Sequence, residues 1–121
     1  MTATPDIESA ELLGHVERAL DDVKAIDVRV LDVRKLTVIT DYMVIATGRS
    51  ARQVKALTDR VREEAVKHGG AVIGVEGDAQ ADWVLVDLGD VVVHIMQPAT
   101  RDFYQLEKLW EEPPQTRADA G

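Results

Sequence analysis

Apolar positions recur along this chain at two alternating periods. Leu12, Leu13, Val16, Ala19, Leu20 and Val23 return at helical spacing, while Glu17, Arg18, Asp21, Asp22 and Lys24 fall largely on other faces, so the first element is an amphipathic helix. It is predicted to begin between Thr4 and Ser9. Thr4 offers a capping hydroxyl, Pro5 suits a first turn, and Asp6 and Glu8 place anions near the positive end of the helix dipole. Over residues 26–33 the period drops to two, with Ile26, Val28 and Val30 alternating against Asp27, Arg29 and Leu31, which marks a strand. Residues 34–41 connect, with room for a short extension at Val38 and Ile39. Residues 42–47, Tyr-Met-Val-Ile-Ala-Thr, are apolar on both faces, the pattern of a central strand covered on each side.

Gly48 closes that strand, and Ser50-Ala51-Arg52-Gln53 reads as a capping box. A helix is predicted from Ala51 to Lys67 or His68, with Val54, Leu57, Val61 and Ala65 as its buried stripe and Gly69-Gly70 as its stop. A strand over residues 71–75 completes a βαβ unit, which predicts parallel strands. Residues 83–88 and 91–96 are strands separated by Gly89-Asp90 alone, the mark of a tight antiparallel hairpin. Nearly every hairpin position is apolar, so alternation does not say whether Val84, Val86 and Leu88 or Trp83, Leu85 and Asp87 face the core. A last helix over residues 100–110 sets Phe103, Leu106, Leu109 and Trp110 at inward spacing, with Tyr104 displaced around the axis. These elements predict a single α/β domain over residues 4–110, a mixed sheet of about five strands with flanking helices, followed by a mobile tail over residues 111–121.

Composition narrows the function classes. With 14 basic and 22 acidic residues the formal charge is −8, which sets an adverse field against nucleic acid and disfavours direct DNA or RNA binding. The same field speeds encounter with a basic protein, although on charge alone a merely solubilising role is the simpler reading. The chain has no cysteine, hence no disulfide framework or thiolate metal site, and no apolar run long enough to span a bilayer. A cytoplasmic address follows as the expectation.

Catalytic candidates are weak. Gly48-Arg49-Ser50 lies between a strand and a helix and resembles a phosphate-cradling turn, yet it fits neither established glycine-rich fingerprint, and a serine cap is ordinary punctuation. Asp87 and Asp90 are three apart across a turn, where turn-forming acids are usual, so no carboxylate pair is spaced to hold magnesium. His15, His68 and His94 share no metal-ligand spacing, and a lone strand histidine such as His94 is more often a hydrogen-bonded core or interface residue. No cofactor and no metal are expected, and the protein reads as a non-enzyme.

Four segments carry a family resemblance: T-D-Y-M-V-I-A-T-G-R-S-A-R-Q-V from Thr40, G-V-E-G from Gly74, D-W-V-L-V-D-L-G-D-V-V-V-H from Asp82, and R-D-F-Y-Q-L-E-K-L-W from Arg101. In order and spacing they resemble the bacterial ribosomal silencing factor family, also called the Iojap family. The match runs from about Leu12 to Trp110. Ala51, Met43 and Met96 depart from residues frequent in that family without touching the partner argument. The resemblance implies a fold similar to nucleotidyltransferases but without their catalytic carboxylates. It further implies a translational repressor, active chiefly under nutrient limitation, that binds the large ribosomal subunit through its protein number fourteen and blocks joining of the small subunit. Positions matching the family's partner-binding surface are Trp83, Leu88 and Tyr104, with Asp87, Asp90 and Arg101 as rim candidates and Trp110 assigned to packing. The rival expectations are a dimeric interaction adaptor, a homodimer off the ribosome included, and a nucleotidyltransferase-like enzyme.

Overall fold

The computed structural model describes residues 7–77 and 80–110. The first helix, α1 (Ser9–Asp22), starts at the late end of the expected window and buries Leu12, Val16, Ala19 and Leu20. Glu8 stands at its N-cap without a side-chain capping bond; the cap expected from Thr4, Pro5 and Asp6 lies outside the described residues. Lys24, at φ 64°, turns the chain into β1 (Ile26–Asp32). This strand pairs antiparallel with β2 (Tyr42–Thr47), and its register shifts between Ile26 and Arg29 around Asp27, itself at φ 49°. Val38 and Ile39 extend no strand; both lie exposed in the connection.

Helix α2 (Ala51–Lys67) begins as its sequence predicts. The Ser50 hydroxyl accepts from the Gln53 amide at 3.2 Å, and the Gln53 side-chain oxygen accepts from the Arg49 amide at 2.7 Å. Gly48 is required just before it, because a Cβ there would stand 2.9 Å from Val54 Cγ2 and 3.1 Å from the Val54 amide nitrogen. After α2 come β3 (Gly74–Gly77), β4 (Trp83–Asp87) and β5 (Val91–Met96). Strand β3 sits later than residues 71–75. Its pairing with β4 sets its limits, Gly74 opposite Asp87 and Gly77 opposite Val84.

The five strands form one mixed sheet in the order β1-β2-β5-β4-β3, with only β2 and β5 paired parallel. The path from β2 through α2 to β3 does bring two strands parallel, but across β5 and β4 rather than side by side. Every residue from Met43 to Thr47 is buried, as a central strand demands. Sheet alternation resolves the hairpin. Val84, Val86 and Leu88 join Val44, Ala46, Val91, Val93 and Ile95 beneath α1 and α2 in the main core. On the opposite face Met43, Ile45 and Met96 gather with Val33 and Leu106, and Leu31 and Trp83 pack alongside. That second face is covered only in part, leaving Leu85, Asp87 and Val92 half-buried.

The expected final helix is broken. It divides into α3 (Pro98–Tyr104) and α4 (Glu107–Trp110) at Gln105, whose backbone is left-handed at φ 48°, ψ 49°. The break ends the shared face that a continuous helix would give. Leu106 is buried, but Phe103 and Leu109 are 78% and 75% exposed instead of pointing inward. The Trp110 side chain and the 111–121 tail lie outside the described residues.

Candidate partner-docking face

Trp83 opens β4 on the partly covered face, opposite Met96 of β5. Its indole N–H donates to His94 Nδ1 at 2.9 Å. His94 is buried, and burial pushes its pKa down to about 4, so the imidazole is neutral at ordinary pH and keeps the Nδ1 lone pair that the bond needs. One edge of the indole is thereby fixed, and the ring packs against the small core cluster that includes Met96 and Leu106. Tyr104, at the end of α3, lies over it with ring centroids 5.0 Å apart and planes at 49°, and Phe103 meets Tyr104 edge-on at 4.9 Å and 86°. Tyr104 is 54% exposed. Three aromatic rings thus form a continuous platform, anchored at Trp83 and open to solvent at Phe103 and Tyr104.

Arg101, a rim candidate from the sequence, has its guanidinium engaged within the fold. Its side chain is 12% exposed. Nε and Nη2 donate to Glu107 Oε2 at 3.2 and 3.1 Å, and Nη1 donates to the Thr47 hydroxyl at 2.9 Å and to the Asp27 carbonyl. Burial opposes ionisation of Glu107, but its own backbone amide, Arg101 and the charge of Arg29 outweigh burial and hold its carboxyl below the ordinary value. An open cleft of about 400 Å³ adjoins this cluster, lined by Arg29, Arg101 and Lys108 against Asp27, Asp102 and Glu107. Its balanced charges favour no single ligand.

The other sequence candidates are placed apart. Leu88 is 5% exposed and packs in the main core under α1 and α2, on the opposite side of the sheet from Trp83. It is a core residue and no part of this face, because a hairpin alternates its side chains and five steps separate the two positions. Asp87 accepts the Gly89 amide at 2.9 Å and shapes the turn; Asp90 is exposed, and its carbonyl accepts the Asp41 and Tyr42 amides at 3.0 and 3.1 Å. Both stand at the turn end of the hairpin, Asp87 about 13 Å along the strand from Trp83 and Asp90 farther still, in the turn. Ser50 is engaged as a cap, and His68 pairs with Glu64 at 3.2 Å while stacking on His15 at 3.7 Å. Among the described residues no group of three or more His, Asp or Glu is placed to hold a metal ion, and no helix is long and apolar enough to cross a membrane.

Sequence reasoning missed Phe103 as a surface residue, the Trp83–His94 bond and the Arg101–Glu107 pair. The bond had a signal: a two-residue turn at Gly89-Asp90 puts Leu85 opposite His94 and so brings Trp83 diagonal to it. The break that frees Phe103 had none, since neither glycine nor proline marks Gln105.

Fold and face together define a small α/β domain with a mixed five-stranded sheet that presents an aromatic platform on its less covered side. The chain matches the family described as ribosomal silencing factor during starvation over residues 6–120, and it belongs to that family. It is 50% identical over 104 residues to a ribosomal silencing factor of Chromobacterium violaceum, covering 86% of this chain and 85% of that one. A crystal structure of a protein from the same species superposes with a TM-score of 0.84 at 44% identity, covering 89% of this chain and 92% of that one. A more distant relative from Mus musculus, 38% identical over 88 residues, bears the name mitochondrial assembly of ribosomal large subunit protein 1; the match spans 69% of this chain and 38% of that one.

Proposed function

We propose that this protein is a non-catalytic translational repressor of the cytoplasm that docks on the large ribosomal subunit through its protein number fourteen. Occupying the surface that meets the small subunit, it blocks subunit joining when nutrients are short. The observation that carries the reading is the platform of Trp83, Tyr104 and Phe103, two of its rings open to solvent and the third fixed from below. Large aromatics held rigidly on a strand and a short helix are the usual anchors of protein interfaces. Membership of a silencing factor family supports a ribosomal target, and the name of the mouse relative favours the large subunit. The charge of −8 suits a basic ribosomal protein. A non-catalytic role is supported by the prior engagement of Ser50, Asp87 and His94 in a cap, a turn and the Trp83 bond.

The test is co-sedimentation of the purified protein with separated subunits, joined to a subunit-joining assay. The protein should travel with the large subunit only and reduce the yield of joined particles. Tyr104→Ala should weaken binding roughly tenfold, about 1.4 kcal/mol, without shifting the melting temperature. Absence of association, with self-association seen instead in solution, would favour a homodimeric adaptor using the same face.

A further inference from the structure

Helix α3 has seven residues and buries none of them. A helix that short is not stable on its own in water, so something outside it must fix where Phe103 and Tyr104 point. Leu106 supplies an apolar foot just beyond the break. The polar fixture is Arg101. Its guanidinium joins four segments at once: the irregular part of β1 at the Asp27 carbonyl, the end of β2 at the Thr47 hydroxyl, α3 through its own backbone, and α4 at Glu107. Its carbonyl also accepts the N–H of Gln105, the left-handed residue immediately after Tyr104. On the far side of the pair, Glu107 Oε1 is buried with no hydrogen-bond partner, while Oε2 accepts from both Nε and Nη2 of Arg101.

We infer that Arg101 is a positioning residue: from within the fold it sets the α3–α4 break and holds Tyr104 against Trp83, so that the partner meets a platform already formed. Arg101 then contributes to docking through Tyr104 and not by touching the partner. This rests on the reading that the platform is the docking surface. Lysine cannot replace it. A single ammonium is a point donor, whereas the planar fork reaches Glu107, Thr47 and Asp27 together.

The test has two arms. In a Trp110→Phe background, Trp83 is the only indole, and its near-ultraviolet circular dichroism reports the packing of Tyr104 on it. Arg101→Lys should lose about half of that signal in the free protein with the far-ultraviolet spectrum unchanged, and Glu107→Gln should do the same more weakly, which guards against a variant that fails to fold. An unchanged near-ultraviolet spectrum in both variants overturns the inference. The second arm is a double-mutant cycle on large-subunit binding. Arg101→Lys should weaken binding roughly tenfold alone but less than about twofold once Tyr104 is alanine, at low and raised salt alike. Equal, additive losses that shrink as salt rises would make Arg101 a direct contact and overturn the positioning role. If Tyr104→Ala alone leaves binding intact, the docking surface has been placed wrongly, while the spectroscopic arm still decides whether Arg101 holds the ring.

Discussion

His94 refuses a proton that an unfolded chain would take. Its pKa falls from 6.5 to about 4 because burial penalises the imidazolium, and Trp83 spends its N–H on the unprotonated Nδ1. As pH drops below 6.5 the unfolded state protonates first, so the stability held in the neutral side chain is complete above 6.5 and is lost between 6.5 and about 4. The loss amounts to roughly 3 kcal/mol across that window. Urea unfolding at pH 7, 5.5 and 4.5 should show the decline, and His94→Gln should flatten it. The comparison between variants isolates the term, since His15, lowered by burial and by His68 beside it, tilts stability in the same direction. Trp83→Phe keeps most of the apolar contact but leaves Nδ1 unsatisfied, which should cost about 1–2 kcal/mol of folding stability. Trp83→Ala should in addition weaken ribosome binding by about 2 kcal/mol, with a cooperative fold retained but less stable. Much of this was legible residue by residue. The expectation of a hydrogen-bonded core or interface role for His94 agrees with its burial and its bond to Trp83, while the docking role of Trp83 and Tyr104 is an expectation carried by the family resemblance. Leu88 was not legible, because a hairpin apolar on both faces gives no parity signal until helices cover one side.

Gln53 shows how one side chain can join two elements. Its amide oxygen caps the start of α2 at the Arg49 amide, while its Nε2 donates to the Val23 and Lys24 carbonyls at 3.0 Å each, just past the end of α1. Orphan groups at two helix ends are satisfied together. Gln53→Ala should therefore cost about 1–2 kcal/mol, the upper range of a cap substitution, read as a lower urea midpoint with an unchanged slope. Ser50→Ala should cost about 1 kcal/mol, removing only the bond that the serine hydroxyl accepts from the Gln53 backbone amide. The cap, the helix it starts and the hairpin were legible because each depends on residues a few positions apart. The order β1-β2-β5-β4-β3 was not, since strand neighbours are chosen by long-range packing. Nor was the break at Gln105. The Gln105 N–H to Arg101 carbonyl bond is a local bond between residues four apart and marks no break by itself; the packing of Leu106 in the core just beyond it is tertiary and leaves no local signal.

At the scale of the molecule, an acidic chain carries an aromatic platform at one end of a sheet face and acidic turn residues at the other. The two features should act on different rates. On the proposed docking, apolar burial at Trp83, Tyr104 and Phe103 would govern how slowly a complex comes apart, because it is short-ranged and indifferent to ions. The net charge acts before contact, drawing in a basic surface over distances comparable to the Debye length of about 10 Å at 0.1 M salt. Raising salt from about 50 to about 300 mM should therefore slow association with the large subunit roughly tenfold while changing dissociation less than about twofold. Asp90→Asn, a charge removed from the exposed turn without disturbing its backbone carbonyl, should reproduce a small part of the slowing and none of any change in dissociation. Tyr104→Ala should do the reverse, speeding dissociation with association nearly untouched. Stopped-flow measurement of both rates on the two variants separates the contributions. If Asp90→Asn instead raised the dissociation rate as strongly as Tyr104→Ala, the turn would itself be part of the buried contact, and the docking surface would extend the whole length of β4 and β5.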